Sequence, residues 1–254
     1  MIDLHSHVLP GIDDGPPDTG GSEAMLAAAA EAGIETMLAT PHVSSRYRND
    51  ATTIAAAAEE LGAARDGARA PVQVLLGAEV AATRIAELDR DELGGLCLGE
   101  SPWMLLEPPF ASVLTGLDAA VDELHSLGYR VLLAHPERCQ AFRREPTLLE
   151  ALIDRGALGS VTSGSLVGRF GGEAKRMALA MLDAGLAHNV ASDAHDPVHR
   201  PPSIAAEIEA CGWGELREWL TLAVPGAILA GEEIPRRPQV TVRRRRSRLP
   251  WRRG

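Results

Sequence analysis

Short apolar runs and longer helix-forming stretches alternate along this chain about seven times, and that alternation limits what it can fold into. "MIDLH", "IETMLAT", "VQVLLGAE", "WMLLE", "RVLLAHPE", "LGSVTS" and "AHNVASDAH" read as strands, the second ending before Pro41. Between them lie helical stretches at 19–32 (ended by Gly33), 50–66, 112–127 (stopped by Gly128), 146–155 and 172–184, and two more at 203–211 and 214–223 follow the last strand. Strands that alternate with helices pair in parallel, and at 254 residues the pattern admits a barrel or an open doubly wound sheet. A hydrophobic content of 45% is enough for one domain with a full core.

No apolar run reaches membrane-spanning length, and no basic region followed by an apolar stretch opens the chain. Cys97, Cys139 and Cys211 are odd in number and far apart, which fits a reducing cytoplasm better than a disulfide framework. The net charge of −10 is unevenly spread. Nine arginines and no acids fall between Arg236 and Arg253; without them 16 basic face 35 acidic side chains, a balance of −19. An acidic body makes specific nucleic-acid binding a poor fit and suits a site whose carboxylates hold cations. From 232 to 254 the composition turns to Pro and Arg, the signature of a basic disordered tail. Such a tail either meets an anionic membrane surface or an acidic partner, or serves as a passive solubilising end.

The candidate donors fall in one kind of place. His5 and His7 end the first strand and His42 follows the second; Glu79 and Glu107 end the third and fourth. His135 ends "RVLLA", and Asp193 and His195 follow the last strand. That end of a parallel sheet carries the active site in barrels and open sheets alike. Side chains at i and i+2 of a strand share a side, so His5 and His7 can reach one ion together, and "SDAH" repeats the offset. Asp13 and Asp14 lie in the loop after His7, flanked by Gly11 and Gly15, and either can supply a further donor. Imidazole mixed with carboxylate suits Zn, Mn or Fe, and nine donors exceed one ion's needs, pointing to two or three. A lone His-x-His is more often a satisfied buried pair; the conjunction of strand ends carries the reading. His125, His188 and His199 receive no role.

"DLHSH", "ATPH", "GAE", "LLE", "AHPER" and "SDAH", in that order, resemble the PHP (polymerase and histidinol phosphatase) superfamily. Within it, "HVLPGIDDGP", "LLEPP", "AHPER" and "HRPP" resemble the metal-dependent bacterial protein-tyrosine phosphatases of capsule and exopolysaccharide synthesis. The resemblance runs from residue 1 to about 230. It implies a distorted (β/α)7 barrel of parallel strands, a metallophosphatase domain at 1–231, and two or three divalent ions, usually manganese, with iron, zinc or cobalt as alternatives. By position, it implies that His5, His7, Glu79 and Asp193 hold the first ion. Glu79, Glu107 and His135 hold the second, and Asp14, His42 and His195 the third. Arg138 of "HPER" and Arg200 of "HRPP" then contact phosphate, as the guanidinium fork does well. The implied substrate is a phosphotyrosine protein, a bacterial tyrosine kinase that regulates polysaccharide export.

Hydroxide formed on such ions can attack phosphorus, so no protein nucleophile is required. The cysteine phosphatase pattern fails at Cys139, because the position six residues on is Glu145. "SGSL" at 163–166 lacks a strand–elbow context and reads as a loop. Arg46 and Arg48, in the loop after His42, read as solvated. The alternatives are a PHP phosphatase of a small metabolite such as histidinol phosphate, a phosphodiesterase, and a non-catalytic metal-binding regulatory module.

Overall fold

The computed structural model describes residues 1–64 and 72–240. Its strands are β1 (Ile2–Ser6), β2 (Thr36–Ala39), β3 (His42–Val43), β4 (Gln73–Leu76), β5 (Glu79–Ala81), β6 (Trp103–Glu107), β7 (Arg130–Ala134), β8 (Leu158–Thr162) and β9 (Asn189–Ala191). Every pairing between these strands is parallel, in two sheets ordered β1-β2-β4 and β3-β5-β6-β7-β8-β9. The two sheets are one wall. Thr36 sits opposite Gln73 and His42 opposite Glu79, so the register runs through the gap unchanged. Gly77 N–H donates to the Ala39 carbonyl and Glu79 N–H to that of Pro41. The "IETMLAT" strand therefore resumes beyond Pro41, whose missing N–H interrupts the ladder without ending the stave.

Residues just past β9 close the ring. His7 N–H donates to the Ala194 carbonyl at 2.8 Å, and Asp193 N–H donates to the His5 carbonyl at 2.9 Å. Seven staves result, a distorted (β/α)7 barrel, matching the seven strand runs of the sequence. The strands are near-continuous apolar runs, as parallel strands covered by helices must be: Trp103, Met104, Leu105 and Leu106 are all buried.

The helices follow their stop signals. Helix α1 (Thr19–Glu31) starts where the Asp18 carboxylate accepts the Gly21 N–H, and Gly33 leaves it at φ 80°. Helix α2 (Ala51–Ala64) fills most of the expected 50–66. Helix α3 (Arg90–Gly94) and helix α5 (Gln140–Arg144) are too short to show periodicity. Helix α4 (Leu117–Ser126) begins later than expected, because Gly116 turns at φ 82° before it. Helices α6 (Pro146–Asp154) and α8 (Gly171–Ala184) lie as expected.

Two expectations are corrected. "SGSL" is not a loop: Ser163–Val167 form a short buried helix, α7, ended by Gly168 at φ 90°. The expected helix at 214–223 is split. After α9 (Ala205–Ala210), a single tight turn spans Gly214–Leu216 and a widened turn Trp219–Ala223, which runs into α10 (Val224–Ala230). Pro225, unable to donate, would crowd the Thr221 carbonyl in a regular helix; widening relieves it.

Residues 232–240, the start of the expected tail, run along the body. Trp219 Nε1–H donates to the Pro235 carbonyl, Arg237 donates to the Leu182 carbonyl, and Ile234 and Val240 pack on the core. The rest of the basic tail lies outside the described residues.

Candidate metal centre

The barrel brings nine predicted donors to one mouth. Glu79, the first residue of β5, is fully buried at the centre. Its Oε2 lies 3.3 Å from His5 Nε2, 3.4 Å from His7 Nε2 and 2.9 Å from His42 Nδ1; its Oε1 lies 2.7 Å from His135 Nε2. Asp193 Oδ1 stands 3.5 Å from both His5 Nε2 and His7 Nε2. Asp14 Oδ1 stands 3.5 Å from His42 Nε2 and 3.4 Å from His195 Nε2.

Four groups of donor atoms lie close enough to share an ion: His5, His7 and Asp193; His5, Glu79 and His135; His42, Glu79 and Glu107; and His7, Asp14, His42 and His195. The first and last contain most of the ligand sets expected from the resemblance. The expected second set divides: His135 meets Glu79 and His5, whereas Glu107 joins Glu79 and His42.

The donor atoms fit divalent ions. His5 Nε2 and His7 Nε2 face one another at 3.3 Å. Two nitrogens about 2.05 Å from a tetrahedral ion lie about 3.3 Å apart. Glu79 Oε2 and His42 Nδ1 are buried and in no hydrogen bond, although they stand side by side. Such atoms are costly inside a protein unless a cation takes their lone pairs. Burial and the neighbouring Glu79 push the Glu107 carboxyl up to about 7. Burial and the Arg138 charge bring His135 down to about 4, leaving a neutral imidazole able to ligate.

Local backbone aims these side chains. His135 and Asp193, each just past a strand, are the two non-glycine residues at positive φ among those described (32° and 51°). Each turns the chain sharply off its strand, and such strain collects at functional sites.

The structure separates the two loop acids. Asp14 joins His42 and His195. Asp13 stands behind His7: its Oδ2 lies 2.6 Å from His7 Nδ1 and accepts the His42 N–H, while Oδ1 accepts the Gly15 N–H. Burial disfavours a charged His7, but its hydrogen bond with Asp13 and the nearby carboxylates of Asp193 and Glu79 hold it above the ordinary histidine range. A carboxylate behind a ligating histidine fixes the tautomer and sharpens the lone pair at the other nitrogen.

Arg138 and Arg200 meet on one oxygen. Arg138 Nη1 donates to Asp193 Oδ2 at 2.6 Å, and Arg200 Nη2 forms an ion pair with the same atom at 2.8 Å. Burial opposes ionisation of Asp193, but His5, His7 and both guanidiniums hold it well below the carboxylate range. One carboxylate thus ties the donor cluster to the cationic pair.

Several supporting residues gave no sequence signal. Buried Asp3 accepts from the Ser192 hydroxyl and N–H, fixing the strand that leads to Asp193. Glu137 Oε1 accepts the Thr162 N–H at 3.1 Å and the Ser165 hydroxyl at 2.6 Å, locking the turn that carries Arg138. Tyr47 stacks on His42 and Phe110 on His135. The cysteines take no part: Cys139 is buried, its Sγ 3.2 Å from the Pro109 carbonyl, and burial raises its thiol.

The chain is similar to known proteins along most of its length. The family described as "Capsular polysaccharide synthesis, CpsB/CapC" matches residues 1–212. The tyrosine-protein phosphatase YwqE of Bacillus subtilis is 38% identical over 197 residues, 77% of this chain and 78% of that protein. The tyrosine-protein phosphatase CpsB of Streptococcus pneumoniae is 30% identical over 212 residues, 80% of this chain and 86% of that protein. Crystal structures of YwqE from B. subtilis and CpsB from S. pneumoniae are reported as those of "unique metal-dependent tyrosine phosphatases". One of their chains superposes with a TM-score of 0.82 at 34% identity, covering 96% of this chain and all of that one. A dihydropyrimidinase from Brevibacillus agri shares the fold alone, at 12% identity, a TM-score of 0.50 and coverage of 95% of this chain and 72% of that one.

Proposed function

The chain belongs to the CpsB/CapC family of capsular polysaccharide synthesis, and from that membership we propose that it is a metal-dependent protein-tyrosine phosphatase. The observation that carries the reading is the convergence of nine imidazole and carboxylate donors beside two arginines on one carboxylate. We assign the activity to one domain, residues 1–231, in the cytoplasm. No described helix is long and apolar enough to cross a membrane.

His5, His7 and Asp193 would hold one ion and Asp14, His42 and His195 another, and Glu79 would lend a donor to His5 and His135 on one side or to His42 and Glu107 on the other for a further ion; manganese is the expected metal. Bound divalent ions supply a lowered water pKa and neutralise charge on phosphoryl oxygens. The protein's own contribution is position. Arg138 and Arg200 bind the phosphoryl group from the side of Asp193, which holds both guanidiniums in place before substrate arrives. Asp13 keeps His7 in a single tautomer. The departing oxygen of a phosphotyrosine is a phenol of pKa about 10, a far better leaving group than an alkanol, so the reaction needs little help from a general acid.

The proposed substrate is a phosphotyrosine segment of a bacterial tyrosine kinase. The test is hydrolysis of a phosphotyrosine peptide after chelation and readdition of single metals, with histidinol phosphate alongside. Activity lost on chelation, restored best by Mn²⁺ and confined largely to the peptide is expected. Preference for histidinol phosphate would replace the reading with a metabolite phosphatase. Lasting inactivity with metal bound would replace it with a regulatory module.

A further inference from the structure

The mouth is lined by aromatic rings that the chemistry of phosphate transfer does not call for. The chain has three phenylalanines. Phe142 is fully buried in the core, and the other two both stand against Arg138. The Arg138 guanidinium carbon lies 5.1 Å from the Phe110 ring centre and 4.4 Å from that of Phe170; Arg200 lies 5.6 Å from Phe170.

Phe110 is the more exposed of the two, with 47% of its surface open. It is nonetheless held in place. Its ring stacks on that of His135 at 5.2 Å and 18°. Its loop is tied to the base of the site where the Cys139 thiol donates to the Pro109 carbonyl. An apolar ring fixed one ring's width from a donor histidine, and left open to solvent, is placed to receive something flat and apolar.

Resting on the phosphatase reading above, we propose that Phe110, with Phe170 beside it against Arg138, forms the specificity-determining wall that receives the phenyl ring of an aryl phosphate whose phosphoryl group lies on Arg138 and Arg200. An alkyl phosphate makes the same contacts to the arginines but leaves the wall uncovered. Arg138 serves both parts of the site: one of its nitrogens is held by Asp193, and its guanidinium lies against the faces of the two rings.

The test separates ring recognition from phosphate recognition and from catalysis. Phenylphosphonate and methylphosphonate carry the same charged head and are not hydrolysed. Their dissociation constants are measured by titration calorimetry on the wild-type protein and on Phe110→Ala, Phe110→Leu and Phe110→Trp. Wild type is expected to prefer the phenyl compound by about tenfold, the scale of one aromatic stacking contact together with its buried area. Phe110→Ala is expected to bring the ratio to within about twofold, Phe110→Leu to an intermediate value, and Phe110→Trp to keep it.

An unchanged ratio in Phe110→Ala overturns the proposal. So does a parallel loss of both affinities, which would mean that Phe110 only supports His135. If the alanine variant does not fold, the leucine and tryptophan variants decide the question by the same ratio. Failure of the phosphatase reading registers separately, as absence of turnover of a phosphotyrosine peptide by wild type with every metal, whatever the phosphonate ratio.

Discussion

At the scale of single residues, the two adjacent loop acids have different work. From the sequence, Asp13 and Asp14 are equivalent candidates between two glycines. In the fold, Asp14 points its carboxylate at His42 and His195, and Asp13 turns the other way to grip His7. Asp14→Ala should therefore remove a metal donor, and elemental analysis should find about one ion fewer per chain. Asp13→Ala should leave the number of ions unchanged but weaken their hold about 10- to 100-fold in competition with a chelator, the usual cost of losing a carboxylate behind a ligating histidine. The reverse pattern would exchange the two assignments. Nothing in the sequence separates them, because the direction of a loop side chain depends on where the loop lands, and Asp13 lands where it also accepts the His42 N–H.

At the scale of elements, the turn Pro136–Arg138 is bolted to the junction of β8 and α7. Glu137 is fully buried, and its Oε1 accepts both the Thr162 N–H and the Ser165 hydroxyl. Burial pushes this carboxyl up to about 7. Removing it in Glu137→Ala strands a buried N–H and a buried hydroxyl, a cost of about 1–3 kcal/mol each. Chemical denaturation should show that loss, and KM for a phosphotyrosine peptide should rise several-fold as Arg138 loosens. Glu137→Gln keeps an accepting oxygen and should restore most of both. If Glu137→Ala leaves KM untouched while stability falls, the turn does not position the arginine. Helix α7 is one turn long, so no periodicity in the sequence marks it, and its stability comes from burial against this turn.

The described residues form a closed ring of seven staves, six of which carry a candidate donor at or near the mouth, and β8 is the exception. Acids from distant parts of the chain, among them Glu79, Glu107 and Asp193, are thereby crowded together with cations expected between them. Metal binding must then stabilise the fold itself. At a hundred times the dissociation constant, one bound ion contributes about 2.7 kcal/mol, so chelation should lower Tm by roughly 5–10 °C for a chain of this size. A Tm indifferent to chelator and to added Mn²⁺ would mean that the donors bind no ion that matters to the native state. The seven strands, the parallel class and the strand-end donors were legible in the sequence, because parallel strands must be apolar throughout and their polar ends stand out against them. Ring closure at Ser6 and Ala194, the division of labour between Asp13 and Asp14, the lock made by Glu137 and the rings around Arg138 were not. Periodicity records which way a side chain faces along its own element; which far-off residue it meets is decided only when the elements pack.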